Sequence, residues 1–92
     1  MNKTDLIREV AEVLPTRRAA GEAVDRLLSA IQEALGRGER VRVSGFGSFS
    51  AERRAARKAR NPRTGEEIEI EARRVPRFVP AEALKQAVND DG

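Results

Sequence analysis

Arg53 to Gly65 reads RRAARKARNPRTG, and this stretch decides what kind of molecule the chain can be. It holds six cations (Arg53, Arg54, Arg57, Lys58, Arg60 and Arg63), no acid, and an Asn-Pro…Gly turn at its end. The flanking segments alternate polar and apolar residues, so the pattern predicts a two-stranded ribbon with one basic strand and a proline at its tip. Such a ribbon has little apolar surface to bury within its own chain. Its charge suits a polyanion, and the polyanion with a groove of that size is duplex DNA.

Charge is partitioned to match. The 92 residues carry a formal net charge of +3. Residues 53–77 hold nine Lys/Arg against four Glu, a balance of +5, and the remainder holds nine against eleven, a balance of −2. A cationic protrusion on a slightly acidic body implies a directed contact with an anion.

Several function classes fall away on composition. With no Cys and no His, disulfides, thiol nucleophiles, the usual zinc sites and an imidazole base are all missing. The acids form no recognisable metal or paired-acid pattern, and no glycine loop is built to cradle a phosphate. The expectation is a non-enzyme with no cofactor, no metal and no small-molecule substrate. No apolar run of signal-peptide or membrane-span length is visible, so an intracellular, membrane-free location is expected. Phe46, Phe49 and Phe78 are the only aromatics, too few to serve both a core and a stacking platform. That favours double-stranded over single-stranded nucleic acid.

Around the basic stretch the chain reads as helix, helix, strands and helix, an α+β arrangement. Leu6, Ile7, Val10, Ala11 and Leu14 make one stripe on a helix over 2–14, with Asn2 or Thr4 as cap and Pro15 as terminator. Thr16 caps a second helix of about 19 residues, roughly 28 Å long. Ala20, Val24, Leu27, Leu28, Ile31 and Leu35 form its buried side, and Gly36 and Gly38 stop it. From Glu39 the period becomes two; Gly45-Phe46-Gly47 makes a tight bend and Phe49 and Ala51 continue on one face. The return strand sets Ile68, Ile70 and Ala72 against Glu67, Glu69, Glu71 and Arg73. Pro76 predicts an edge or a bulge, Pro80 the first turn of a last helix carrying Leu84 and Val88, and Asn89 to Gly92 a frayed end. Without residues 53–77 about 67 remain, a size at which one core gives only a few kcal/mol. A second copy should complete it.

These segments, in this order, resemble the bacterial HU/IHF histone-like DNA-bending proteins along nearly the whole length. The opening MNKTDLI, the bend Gly45-Phe46-Gly47-Ser48-Phe49, the tip Arg60-Asn61-Pro62-Arg63-Thr64-Gly65 and the ending Pro76-Arg77-Phe78…Ala83-Leu84-Lys85 carry the resemblance. It implies an intertwined dimer with a helical base (1–36), saddle strands (39–52 and 74–80), DNA-binding β-arms (53–73) and a C-terminal helix (81–89). The arms would embrace duplex DNA in the minor groove of nucleoid DNA, and Pro62 would wedge between base pairs. Phosphate and groove contacts carry over onto Arg53, Arg54, Arg57, Lys58, Arg60, Asn61, Arg63 and Arg74. Lys3 and Lys85 match body positions at the flanks of bent DNA, and Phe46, Phe49 and Phe78 map to the dimer core. The partner chain is a second copy or a paralogue.

A rigid apolar ring can enter a partly unstacked step at a cost of a few kcal/mol, offset by cation–phosphate contacts along the bent duplex. An extended strand from Arg53 to Pro62 covers about 30 Å, close to one helical turn of duplex. Departures from the family pattern are equally specific. Glu66, Glu67, Glu69 and Glu71 make the return strand more acidic than in many members. A hairpin centred between Arg63 and Thr64 would set Arg60 opposite Glu67 and Lys58 opposite Glu69. Ala59 and Ala81 stand where glycines are usual, and the link between the first two helices is slightly short.

Competing classes are a site-preferring IHF-like subunit and a helix-turn-helix regulator built from residues 2–35. The second is disfavoured because its helices spend their apolar stripes on the core, and Glu22 and Asp25 would face phosphates.

Overall fold

Asn2 opens the first helix with a reciprocal cap: its side chain accepts from the Asp5 amide at 3.1 Å, and its own amide donates to the Asp5 carboxylate at 2.9 Å. That capping box satisfies two otherwise orphaned donors and starts α1 (Lys3–Val10) in the computed structural model, which describes residues 1–90. Regular helix ends earlier than the apolar stripe implies. Beyond Val10 the amides of Glu12 and Val13 bond to carbonyls three residues back, because Pro15 bars Leu14 from helical dihedrals and the chain tightens before it. Thr16 caps α2 (Arg17–Gly36), its hydroxyl accepting from the Ala19 amide at 3.0 Å.

The chain divides into two compact units, Met1–Ala34 and the residues from Leu35 onward. In the first, Ala20, Val24 and Ala34 are buried, while Leu27 and Leu28 are 60% and 45% exposed. The expectation of a fully buried stripe is therefore wrong for Leu27 and Leu28 within one chain, and Ala34 belongs among the buried positions.

In the second unit, β1 (Val41–Val43), β2 (Gly47–Arg54) and β5 (Arg73–Pro80) form a three-stranded antiparallel sheet in the order β1-β2-β5. β3 (Arg57–Arg60) and β4 (Glu67–Ile70) form a separate two-stranded ribbon. The β1–β2 bend closes with the Phe46 amide on the Val43 carbonyl at 3.0 Å. Its two glycines do different jobs: Gly45 adopts φ +78°, and Gly47 lets another chain segment approach. A Cβ at Gly47 would lie 2.6 Å from the Phe78 ring and from the Val79 carbonyl oxygen.

Pro76 sits opposite Ala51 in an unbroken β2–β5 register. Of the two expectations for it, edge or bulge, the edge holds: β5 is an outer strand of this sheet, where a missing donor is tolerated. Pro80 closes β5 and Ala81 is the N-cap of α3 (Glu82–Asn89), so Pro80 precedes the last helix instead of forming its first turn. Asn89 is helical, its side-chain amide donating to the Lys85 carbonyl at 2.9 Å, which corrects the expected fraying there. Asp91 and Gly92 lie outside the described residues.

Phe78 bridges the other two aromatics, with ring centroids 5.5 Å from Phe46 and 4.8 Å from Phe49. Yet Phe46 and Phe78 remain 46% and 39% exposed, and no large side chain among the described residues is fully buried. The chain exposes 7874 Å², whereas a compact monomer of this length exposes about 5,300 Å².

Candidate nucleic-acid interface

The β3–β4 ribbon is built as the sequence implies. Arg57 pairs with Ile70, Lys58 with Glu69, Ala59 with Ile68 and Arg60 with Glu67, so the hairpin is centred between Arg63 and Thr64. Successive residues point to opposite faces. One face carries Arg57, Ala59, Ile68 and Ile70; the other carries Lys58, Arg60, Glu67 and Glu69. The opposed charges do not close into ion pairs among the described residues, which leaves both cations available to another anion.

The tip is held by its own backbone. Asn61 donates to the Glu66 carbonyl at 2.9 Å, its carbonyl accepts from the Gly65 amide at 2.8 Å, and its side chain accepts from the Arg63 amide at 2.9 Å. Gly65 supplies the positive φ of +74° that returns the chain. This Asx-type turn needs no donor from position 62, so Pro62 fits without loss and stands exposed at the end of the ribbon. From Arg53 to Arg74 no residue is buried.

The remaining sequence-derived residues fall into different settings. Arg53 and Arg54 end β2 opposite Arg74 and Arg73. Arg74 is partly committed, donating to the Gly36 carbonyl at 3.0 Å, where a cation also meets the favourable end of a helix. Lys3 pairs with Asp25 in the first unit, and Lys85 lies 3.8 Å from Glu82 on α3. Arg18 pairs with Glu22 at 3.3 Å. Phe46, Phe49 and Phe78 form the aromatic cluster already described, on the sheet face away from Ser48 and Ser50.

That second sheet face was missed as a basic surface. Register places Arg42 beside Ser48 and Ser50 beside Arg77. Arg40, Ser48, Ser50, Glu52, Arg77 and Val79 line a shallow concavity of about 230 Å³, and Arg77 makes a 2.6 Å diagonal pair with Glu52. The signal was present in the Arg-Val-Arg-Val alternation at 40–43, which sends both arginines to the face opposite the phenylalanines. Among the described residues no cluster of acids could hold a metal ion, and no helix is long and apolar enough to cross a membrane.

Comparison with known proteins fits this geometry. The family described as bacterial DNA-binding protein matches residues 1–89. The chain is 54% identical over 89 residues to DNA-binding protein HU of Staphylococcus aureus (strain COL), covering 96% of this chain and 99% of that protein. It is 53% identical, with the same coverage, to DNA-binding protein HU of Geobacillus stearothermophilus. Its fold is similar to Anabaena HU in a cocrystal structure with DNA, with a TM-score of 0.87, 40% identity, and coverage of 96% and 97% of the two chains. HU from Thermotoga maritima gives a TM-score of 0.66 at 32% identity, covering 96% and 98%. Matched from its first helix to its last, the chain belongs to the bacterial DNA-binding protein family that includes HU.

Proposed function

We propose that this chain is a non-enzymatic, nucleoid-associated architectural protein that binds duplex DNA with little sequence preference and bends it. The observation that carries this reading is the unburied segment Arg53–Arg74, whose arm cations have no acidic partner within ion-pair distance among the described residues. Arg53, Arg54, Arg57, Lys58, Arg60, Asn61 and Arg63 grip phosphate and sugar along the minor groove. Pro62 intercalates and kinks the duplex. Arg40, Arg42 and Arg77 with Ser48 and Ser50 extend the contact across the sheet, and Lys3, Arg74 and Lys85 serve the flanks. Minor-groove edges offer a degenerate code, so positions that grip outnumber positions that specify.

The working unit is a dimer, built on a helical base (1–36) and saddle strands (39–52 and 74–80), with arms (53–73) and C-terminal helices (81–89). Its support is the apolar surface one chain leaves open: Leu6, Leu27, Leu28, Phe46, Phe78 and Val88 are all exposed. The test is affinity for linear, nicked and pre-bent duplexes of one sequence. Bending a linear site costs on the order of 1–6 kcal/mol, so the nicked and pre-bent duplexes bind at least about fivefold tighter. Equal affinity for all three removes bending from the reading, and a sharp motif in selection from random duplexes replaces it with a site-preferring subunit.

A further inference from the structure

The join between the sheet and the ribbon carries an unusual arrangement. The last two rungs of the β2–β5 ladder set Arg53 opposite Arg74 and Arg54 opposite Arg73. Pairing then lapses at 55–56 and 71–72 and resumes with Arg57 opposite Ile70. Two residues intervene on each side, so the register is the same above and below the gap. No bulge or insertion opens these rungs.

Charge and propensity explain the gap. Like charges directly opposite one another destabilise a strand pair, and two such rungs stand next to Ala55, Ala56 and Ala72, poor strand formers. Arg74 is partly compensated by the Gly36 carbonyl. Arg53, Arg54 and Arg73 have no such partner among the described residues. Concavities flank the rungs: one of about 490 Å³ lined by Arg53, Ala72, Arg73 and Arg74, and one of about 310 Å³ that brings Arg54, Arg57 and Arg73 around the open rungs together with Glu71.

We infer that the opposed arginines at the arm root form a phosphate-binding joint, whose occupation by a phosphate group closes the two open rungs and stiffens the arm. Guanidinium pairs are matched to the planar, multidentate demands of a phosphate. An anion between opposed arginines converts repulsion into bridging. The ladder can then run through 55–56 and 71–72 without a register change. The inference rests on the proposed DNA-binding role, since a duplex phosphate is one source of that group; a free polyphosphate is the other.

Backbone amide hydrogen exchange across residues 55–56 and 71–72 tests it in the full-length protein. Millimolar pyrophosphate should slow exchange there by about tenfold, and sodium chloride at equal ionic strength should not. The Arg54→Thr/Arg73→Thr variant should show slow exchange without any anion and no further response to pyrophosphate. A short duplex, added to a separate sample of the wild type, should protect the same amides. Protection by duplex alone assigns the joint to DNA backbone phosphate, and protection by both opens it to free polyphosphate. Equal protection by chloride, no protection by either pyrophosphate or duplex, or a wild-type protection that persists undiminished in the variant, overturns the joint. Duplex anisotropy on the same samples separates the outcomes: binding without closure sinks the joint alone, and absence of binding sinks the DNA-binding role.

Discussion

Gly47 and Pro62 show how single residues divide the work between structure and contact. At Gly47 an added Cβ would meet the Phe78 ring and the Val79 carbonyl at 2.6 Å. Gly47→Ala should therefore lower unfolding stability by about 1–3 kcal/mol in denaturant titration, the usual range for overpacking; an unchanged midpoint would show that β5 yields freely. Pro62 touches nothing that holds the fold together. Pro62→Ala should leave the melting temperature and the salt dependence of DNA binding where they are, while reducing the bend seen as end-to-end energy transfer in a labelled duplex. A bend equal to that of the wild type would remove intercalation from the mechanism. Gly47 also marks a limit of sequence reading. The motif Gly45-Phe46-Gly47 announces a tight bend, but only the register of β5 reveals that one glycine is there for φ and the other for an incoming aromatic ring.

Among the elements, the ribbon was the most legible and its join to the sheet the least. Alternating Glu and Ile in β4 put the isoleucines on one face, and Asn-Pro and Gly at the tip set the register, which is the one observed. The gap at 55–56 was invisible because the sequence on each side still alternates and nothing is inserted. It depends on which arginines face which, a property of pairing and not of either strand. The early end of α1 was hidden for a related reason: apolar spacing continues to Leu14 after hydrogen bonding has tightened. The acidic return strand makes a prediction at this scale. Glu69 faces Lys58 without pairing to it, so Glu69→Lys raises the arm's charge by two units, at the modest cost of setting two lysines opposite each other in the ribbon. Duplex affinity at low salt should rise by about three- to tenfold per dimer, with the gain shrinking as salt increases. Unchanged or weaker binding would mean the acid strand faces away from the duplex or holds the arm in place.

For the whole molecule, one quantity organises the account: the surface a single chain fails to bury. Composition already hints at the shortage, since a body of about 67 residues cannot support much core alone. Which side chains lack cover was not legible, because the helical stripe and the phenylalanines read as buried whichever chain covers them. Sedimentation at micromolar concentration should show a dimer, and a concentration-independent monomer would leave Leu27, Leu28, Phe46 and Phe78 unexplained. The proposed grip on DNA lies in the two arms that such a dimer would carry. The most direct test is the slope of log affinity against log salt for a short linear duplex, compared between the wild type and Arg57→Ala/Arg60→Ala. Two residues on each of two arms give up to four phosphate contacts, so the slope should become shallower by about 3 to 4 units at roughly 0.9 per contact. An identical slope in the two proteins would mean that the arms do not hold the DNA.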